Sequence, residues 1–263
     1  MQDLTVTLVQ RTLSWEDPAG NRDAIDRDLE GLDAASDLVI LPEMFTTGFS
    51  MEPERVAEQD AVDTLPWMQS LAARHNAAIT GSLAVREGGE SFNRLLFVTP
   101  EGQVHQYDKR HLFRMAREQE HYAPGVERSV IDFRGWRLLP LICYDLRFPV
   151  WSRNRDDYDA LFFVANWPAK RAYHWRQLLI ARAIENQAYC IGVNRIGEDG
   201  NGIPYSGDSL AIAADGVVLV DCEDRAGLFT VTLEAERMAR YREKFPCHLD
   251  ADGFHLDIDR RDP

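Results

Sequence analysis

Positive charge is scarce in this sequence, and lysine scarcer still. The 263 residues carry 29 basic against 43 acidic side chains, a formal net charge of −14, and only Lys109, Lys170 and Lys244 are lysines. Residues 1–60 hold fourteen Asp and Glu against Arg11, Arg22, Arg27 and Arg55. Nucleic acids and anionic membranes are both held through basic patches, so neither is expected as a partner. Long apolar runs are missing as well. None approaches the ~18–20 residues that span a bilayer. The opening Met1-Gln-Asp-Leu-Thr-Val-Thr-Leu8 lacks a basic segment followed by an apolar one and a small-residue cleavage site. Cys143, Cys190, Cys222 and Cys247 lie far apart with no Cys-x-x-Cys pair, which speaks against zinc and against a dense disulfide framework. A cytoplasmic protein with reduced thiols is the expectation. Internal repeats, low-complexity tracts and Pro/Gly/Ser linkers are also missing, so residues 1–263 are read as one domain.

What is present has the profile of a globular α/β protein: 45% hydrophobic and 27% charged residues. Leu4–Gln10 alternates like a strand, and Asp17-Pro18 reads as a cap with proline in the first helical turn. Ile25, Leu29 and Leu32 follow on one helical face. The short apolar run 37–41 fits a strand buried on both sides. A helix over about 64–75 is expected to turn Leu65, Met68 and Ala72 inward. Strands are expected at 77–85, 95–99, 104–107, 136–142, 159–165, 189–193, 209–213, 217–221 and 228–233. Helices are expected from Ala172 to about Gln187, with Trp175, Leu178, Leu179 and Ala183 inward, and near 235–241. From about Cys247 the tail turns polar, with Asp250, Asp252, Asp257, Asp259 and Asp262, and is expected on the surface or against a partner. Strands and helices alternate early and late around a strand-rich middle. That pattern predicts an α/β fold of sheets covered by helices.

Three polar groups directly follow apolar strands: Glu43, Cys143 and Asn166. In open α/β sheets, ligands bind beyond the carboxyl ends of strands. Each position also has a plain reading. A glutamate after a strand is usually solvated, and a cysteine between Ile142 and Tyr144 is more often a small buried hydrophobe. Lys109 is notable because arginine is the default cation in this chain, although a surface lysine beside Arg110 would look the same. Together, Glu, Lys and Cys make a coherent set for acyl transfer. A thiolate attacks carbonyl carbon, a carboxylate moves the proton, and an ammonium steadies the oxyanion. The backbone N–H of Tyr144 would be a second donor. The histidines show no metal-ligand spacing, and Gly197–Gly202 does not form a phosphate-binding loop, so no metal or cofactor is expected.

The local sequences resemble one family. Leu41-Pro-Glu43-Met-Phe45 is similar to the glutamate motif of the carbon–nitrogen hydrolases of the nitrilase superfamily. Tyr107-Asp-Lys109-Arg-His-Leu-Phe113 is similar to their lysine motif, and Leu141-Ile-Cys143-Tyr-Asp-Leu-Arg147-Phe-Pro149 to their cysteine motif. Ala181-Arg-Ala-Ile-Glu-Asn-Gln187 matches a further segment, and all four occur in the family's order. The resemblance covers roughly Leu4 to Leu233. It implies a four-layer α-β-β-α sandwich, usually dimerised, with Cys143 as nucleophile, Glu43 as general base and acid, and Lys109 as oxyanion stabiliser. It also implies a supporting glutamate before Pro124-Gly125, taken as Glu118, with Glu120 the alternative.

Phe45-Thr-Thr-Gly48-Phe-Ser-Met51, His111-Leu-Phe-Arg-Met115, Asn166-Trp-Pro168 and Gly207-Asp-Ser209 look closest to the omega-amidase branch. That branch hydrolyses the terminal amide of small dicarboxylate monoamides such as 2-oxoglutaramate. Such a substrate carries a carboxylate at its far end, for which an arginine fork is suited. Arg147 and Arg171 are the candidates. The plain alternatives are a structural pair between Arg147 and Asp145 and an exposed helix-start arginine at 171. Trp167, Phe45 and Phe113 are candidate pocket walls. Rival readings are a nitrile or N-carbamoyl hydrolase of the same superfamily, and a non-catalytic binding module on the same fold.

Overall fold

The computed structural model describes residues 1–32 and 36–258. Asp259 and Asp262 of the expected tail lie outside the described residues. Two large sheets form the centre. The first has the order β15-β1-β2-β4-β5-β6, with the two-residue β3 (Glu58–Gln59) added beside β4. Its strands are β1 (Leu4–Gln10), β2 (Leu38–Ile40), β4 (Ala78–Glu87), β5 (Glu90–Val98), β6 (Val104–Asp108) and β15 (Gly227–Leu233). The second has the order β14-β13-β10-β9-β8-β7. It consists of β7 (Ile131–Phe133), β8 (Trp136–Ile142), β9 (Ala160–Ala165), β10 (Tyr189–Asn194), β13 (Leu210–Ile212) and β14 (Val218–Asp221). Each sheet has a parallel centre and antiparallel flanks. β1, β2 and β4 run parallel in one, and β8, β9 and β10 in the other.

Side-chain alternation shows how the layers stack, because successive residues of a strand face opposite sides. Leu38 and Ile40 of β2, with Leu95 and Phe97 of β5, join the core shared with the second sheet. Val39, Leu96 and Val98 point the other way, into a core built with two helices. Those helices are α1 (Pro18–Glu30) and α3 (Thr64–His75). α1 begins as its sequence specifies, with the Asp17 carboxylate accepting from the Gly20 N–H and Pro18 in the first turn. On the far side, α5 (Ala172–Asn186) and α6 (Ala235–Lys244) bury Trp175, Leu179, Ala183, Ala235 and Met238 against the second sheet. The result is a helix-sheet-sheet-helix sandwich, the layering implied by the resemblance.

Differences from expectation are local. Leu65 and Leu178 are only half-buried, and Leu71 is buried in α3. β5 starts at Glu90 rather than Leu95, and β7 is an additional strand. The glycine-rich stretch 197–202 connects β11 (Ile196–Glu198) to β12 (Pro204–Ser206) as an antiparallel hairpin. Short helices α2 (Pro53–Val56) and α4 (Pro149–Ser152) complete the set. In the tail, Leu256 and Ile258 pack partly buried against the shared core.

Candidate active site

Glu43 follows the carboxyl end of β2, where the chain turns sharply. Leu41 N–H donates to the Thr80 carbonyl at 2.7 Å, Met44 N–H to Ser82 Oγ at 2.9 Å and Phe45 N–H to the Ser82 carbonyl at 3.0 Å. These bonds hold the glutamate against β4. Asn166, at the end of β9 in the other sheet, completes the grip. Its side-chain amide donates to the Glu43 carbonyl at 2.6 Å, and its backbone N–H to Glu43 Oε2 at 2.7 Å.

Lys109 follows β6, with its N–H bonded to the Asn93 carbonyl at 3.0 Å and its carbonyl accepting from Gly125 N–H at 2.9 Å. A side chain at 125 would place Cβ 2.1 Å from the Asp108 carbonyl oxygen, so only glycine lets this loop approach the end of β6. The Lys109 Nζ donates to Glu43 Oε1 at 2.9 Å and to both Glu118 carboxylate oxygens at 3.0 Å. The ring of Phe49 lies 4.9 Å from this ammonium. Asn93 bridges the two acids, its amide 2.8 Å from Glu43 Oε1 and 3.4 Å from Glu118 Oε1. Glu118 is fixed in turn by the Phe113 N–H at 2.6 Å. Glu120 instead pairs with Arg117 on the surface.

Cys143 opens a 3-10 turn, Cys143–Arg147, at the end of β8, with φ of +42°. The left-handed region costs a non-glycine residue on the order of 1–3 kcal/mol, and such strain gathers at functional turns. Tyr144 sits in the first turn, where N–H groups lack an intrahelical acceptor.

Glu43, Lys109 and Glu118 are all fully buried. Burial alone would lower the Lys109 pKa, but the charges of Glu118 and then Glu43 outweigh it and hold the ammonium above its ordinary value. Burial raises the Glu118 carboxyl; Lys109 opposes this, and Glu43 adds to it. Burial, then the Glu43 charge, pushes the Cys143 thiol well up, while Lys109 pulls it down. A hydrogen bond to Glu43 also favours the protonated thiol. These influences together favour the protonated thiol, with the Glu43 side chain beside it.

This cluster opens into a pocket of about 500 Å³ lined by Cys143, Tyr144, Asn166, Phe49, Phe113 and Trp167, among others. Arg147 and Arg171 stand in its wall. The Arg147 guanidinium lies 4.8 Å over the Trp167 ring and 3.1 Å from His174 Nδ1. Burial lowers its pKa, and nearby Arg171 adds to the effect. Arg171 lies 5.3 Å over Phe113 and reaches the Met115 sulfur at 3.8 Å. Neither arginine has a carboxylate partner among the described residues.

Two expectations are corrected. Arg147 does not pair with Asp145, whose carboxylate accepts from Tyr107, His111 and Ile142 instead. Phe45 is not a pocket wall. It is fully buried, packs 5.9 Å from the Trp67 ring and crowds the space over Gly81. Phe49, four residues on, takes the pocket position.

Sequence reasoning also missed Asn93, Met115, Lys170 and the hairpin residues Ile203, Pro204 and Tyr205. Only the hairpin carried a readable signal, a glycine-rich turn between short runs. Among the described residues, no group of three or more His, Cys, Asp or Glu is placed to hold a metal ion. All four cysteines are free.

Comparison with known proteins adds four findings. A model of the carbon–nitrogen hydrolase family matches residues 5–243. The omega-amidase YafV of Escherichia coli (strain K12) is 50% identical over 259 residues, covering 97% of this chain and 100% of its own. The 2-oxoglutaramate amidase of Bacillus subtilis (strain 168) is 32% identical, covering 94% and 96%. In fold, the chain is similar to XC1258 from Xanthomonas campestris, described as a CN-hydrolase superfamily protein with an arsenic adduct in its active site. The TM-score is 0.95 at 49% identity, with 97% of this chain and 100% of that one covered.

Proposed function

The chain belongs to the carbon–nitrogen hydrolase family, whose members cut carbon–nitrogen bonds other than peptide bonds, and from that premise we infer that it is an omega-amidase. It hydrolyses the terminal amide of small dicarboxylate monoamides, of the 2-oxoglutaramate kind, to carboxylate and ammonia. One observation supports the residue roles above all others: Glu43 is bonded to Lys109 at 2.9 Å and lies beside the thiol of Cys143, which lines the pocket.

In this reading Glu43 takes the thiol proton as Cys143 Sγ attacks the amide carbonyl carbon. Lys109 and the Tyr144 N–H hold the resulting oxyanion. An ammonium has three donors. Glu43 Oε1 and the two Glu118 oxygens engage all three at rest, and one Glu118 contact gives way to the oxyanion. Glu43 then protonates the departing ammonia and activates the water that cleaves the thioester. Glu118 and Lys109 fix one another, so the ammonium stays charged in a buried site. Arg147 and Arg171 receive the far carboxylate, while Phe113 and Trp167 flank the chain between the two ends.

The same reading takes residues 1–263 as one hydrolase domain, working as a cytoplasmic homodimer without a cofactor. Ammonia release should be measured over short amides, nitriles and carbamoyl compounds. Cys143→Ala should abolish turnover of omega-amides and leave the fold intact. Substantial residual hydrolysis by that variant sinks the nucleophile assignment, and preference for nitriles or carbamoyl compounds sinks the substrate class.

A further inference from the structure

Asp145 lies two residues beyond Cys143, is fully buried and accepts hydrogen bonds from two separate chain segments. On the cysteine side, Ile142 N–H donates to Oδ2 at 3.0 Å, closing the turn on which Cys143 takes its left-handed conformation. On the lysine side, Tyr107 Oη donates to Oδ2 at 2.8 Å, while His111 N–H and Nδ1 reach Oδ1 at 3.0 and 2.8 Å. Tyr107 and His111 flank Lys109 in sequence, so one carboxylate ties both sides of the lysine segment to the cysteine turn.

The surrounding groups hold this tie. Trp151 Nε1 donates to Tyr107 Oη at 3.0 Å, and the Arg110 N–H reaches the same oxygen at 3.3 Å. The His111 ring stacks on Phe148, with centroids 3.8 Å apart and 7° between planes. Burial, then the Asp145 charge, pushes the Tyr107 phenol well above its usual pKa, which keeps it a donor. Facing a carboxylate, His111 Nδ1 must carry its proton.

We propose that Asp145 is a positioning residue for the hydrolysis, setting where Lys109 Nζ stands relative to Cys143 Sγ through its bonds to Tyr107, His111 and Ile142. Lys109 and Cys143 follow strands of different sheets, and among the described residues no hydrogen bond joins Lys109 directly to the cysteine turn. Asp145 supplies that join. A displacement of about 1 Å at a reacting centre costs roughly 100-fold in rate, so the carboxylate acts on the transition state without touching substrate. The inference rests on the roles given above to Cys143 and Lys109.

The test uses the full chain. Asp145→Asn keeps the side-chain shape but sets an NH2 against donors on one side. His111→Phe keeps a ring to stack on Phe148 and removes the ring nitrogens, the Nδ1 donor to Asp145 among them. Asp145→Asn should lower kcat roughly 100-fold and His111→Phe about tenfold, with KM within about threefold of wild type. Because both changes cut one link, the losses should not multiply in the double variant. An unchanged kcat in either folded variant, a loss carried by KM, or losses that multiply would overturn the inference. If Asp145→Asn fails to fold, the kcat and KM of His111→Phe decide the matter. Cys143→Ala separates the two levels. Turnover by that variant removes the reading of the site itself. A dead Cys143→Ala beside fully active Asp145 and His111 variants removes only the positioning role.

Discussion

Arg147 and Arg171 stand 4.8 and 5.3 Å over aromatic rings in a chain where most cations have acidic partners. A buried-edge guanidinium without a carboxylate is a costly arrangement unless an anionic ligand completes it. Replacing the arginine that binds substrate with alanine should therefore raise KM for carboxylate-bearing amides by roughly 10–100-fold, the worth of a hydrogen bond to a charged group. Neutral amides of equal length should be much less affected. Equal losses on both substrate types, measured as kcat/KM, would count against the carboxylate role. Glu43, Lys109 and Cys143 were legible in the sequence because each sits in a recognisable short segment. Asn93 was not. A single asparagine between Phe92 and Arg94 has no motif of its own, and its importance comes from two glutamates 50 and 25 residues away. Phe45 misled for the opposite reason. Adjacency to a site motif says nothing about which face of a turn a ring will take.

Among the elements, clear apolar spacing rather than length alone decided what the sequence showed. β1, α3 and β8 have the bounds that their apolar spacing predicts. β7 has three residues and β12 three, too few for periodicity to show. β5 begins five residues early because Glu90-Ser-Phe-Asn-Arg94 looks polar, yet Asn93 faces the buried acids and Arg94 pairs with Asp108.

One junction between elements is testable by pH. Asp159, just before β9, bonds Arg137 of β8 at 2.8 Å and Arg242 of α6 at 3.1 Å. Burial raises its pKa, but the Arg137 hydrogen bonds and the charges of Arg137 and Arg242 outweigh this and leave it below the ordinary carboxylate value. A carboxyl depressed in the folded state contributes stability above its unfolded pKa, which is lost as pH falls through the folded value. Asp159→Asn should thus cost about 2 kcal/mol at pH 7. The difference in Tm from wild type should shrink as pH drops below about 4. A gap that stays constant down to pH 3 would remove the ion-pair explanation.

At the scale of the whole molecule, the outer face around α5 leaves apolar side chains in solvent. Ile184 is 47% exposed, Val217 49% and Val218 38%, and Ile184 lies against Gly216. These aliphatics, on α5 and at the start of β14, are the candidate surface for the proposed homodimer, and two-fold symmetry is the commonest way to cover such a patch. Sedimentation should give a species of twice the 30.0 kDa chain mass. Ile184→Glu should shift it to the single-chain mass with the spectrum of a folded protein. A wild-type chain that sediments alone at micromolar concentration would refute the dimer.

The groups proposed to react, and the asparagine that grips one of them, are divided between the two layers of strands: Glu43 and Lys109 on one, Cys143 and Asn166 on the other. Neither layer alone holds a working half. A slip between them by a fraction of a side chain parts acid from sulfur before any strand has melted. Turnover thus gauges how well the two slabs stay in register. On slow heating, the inactivation curve should run ahead of the loss of far-ultraviolet ellipticity, by an interval that measures the slack along that seam.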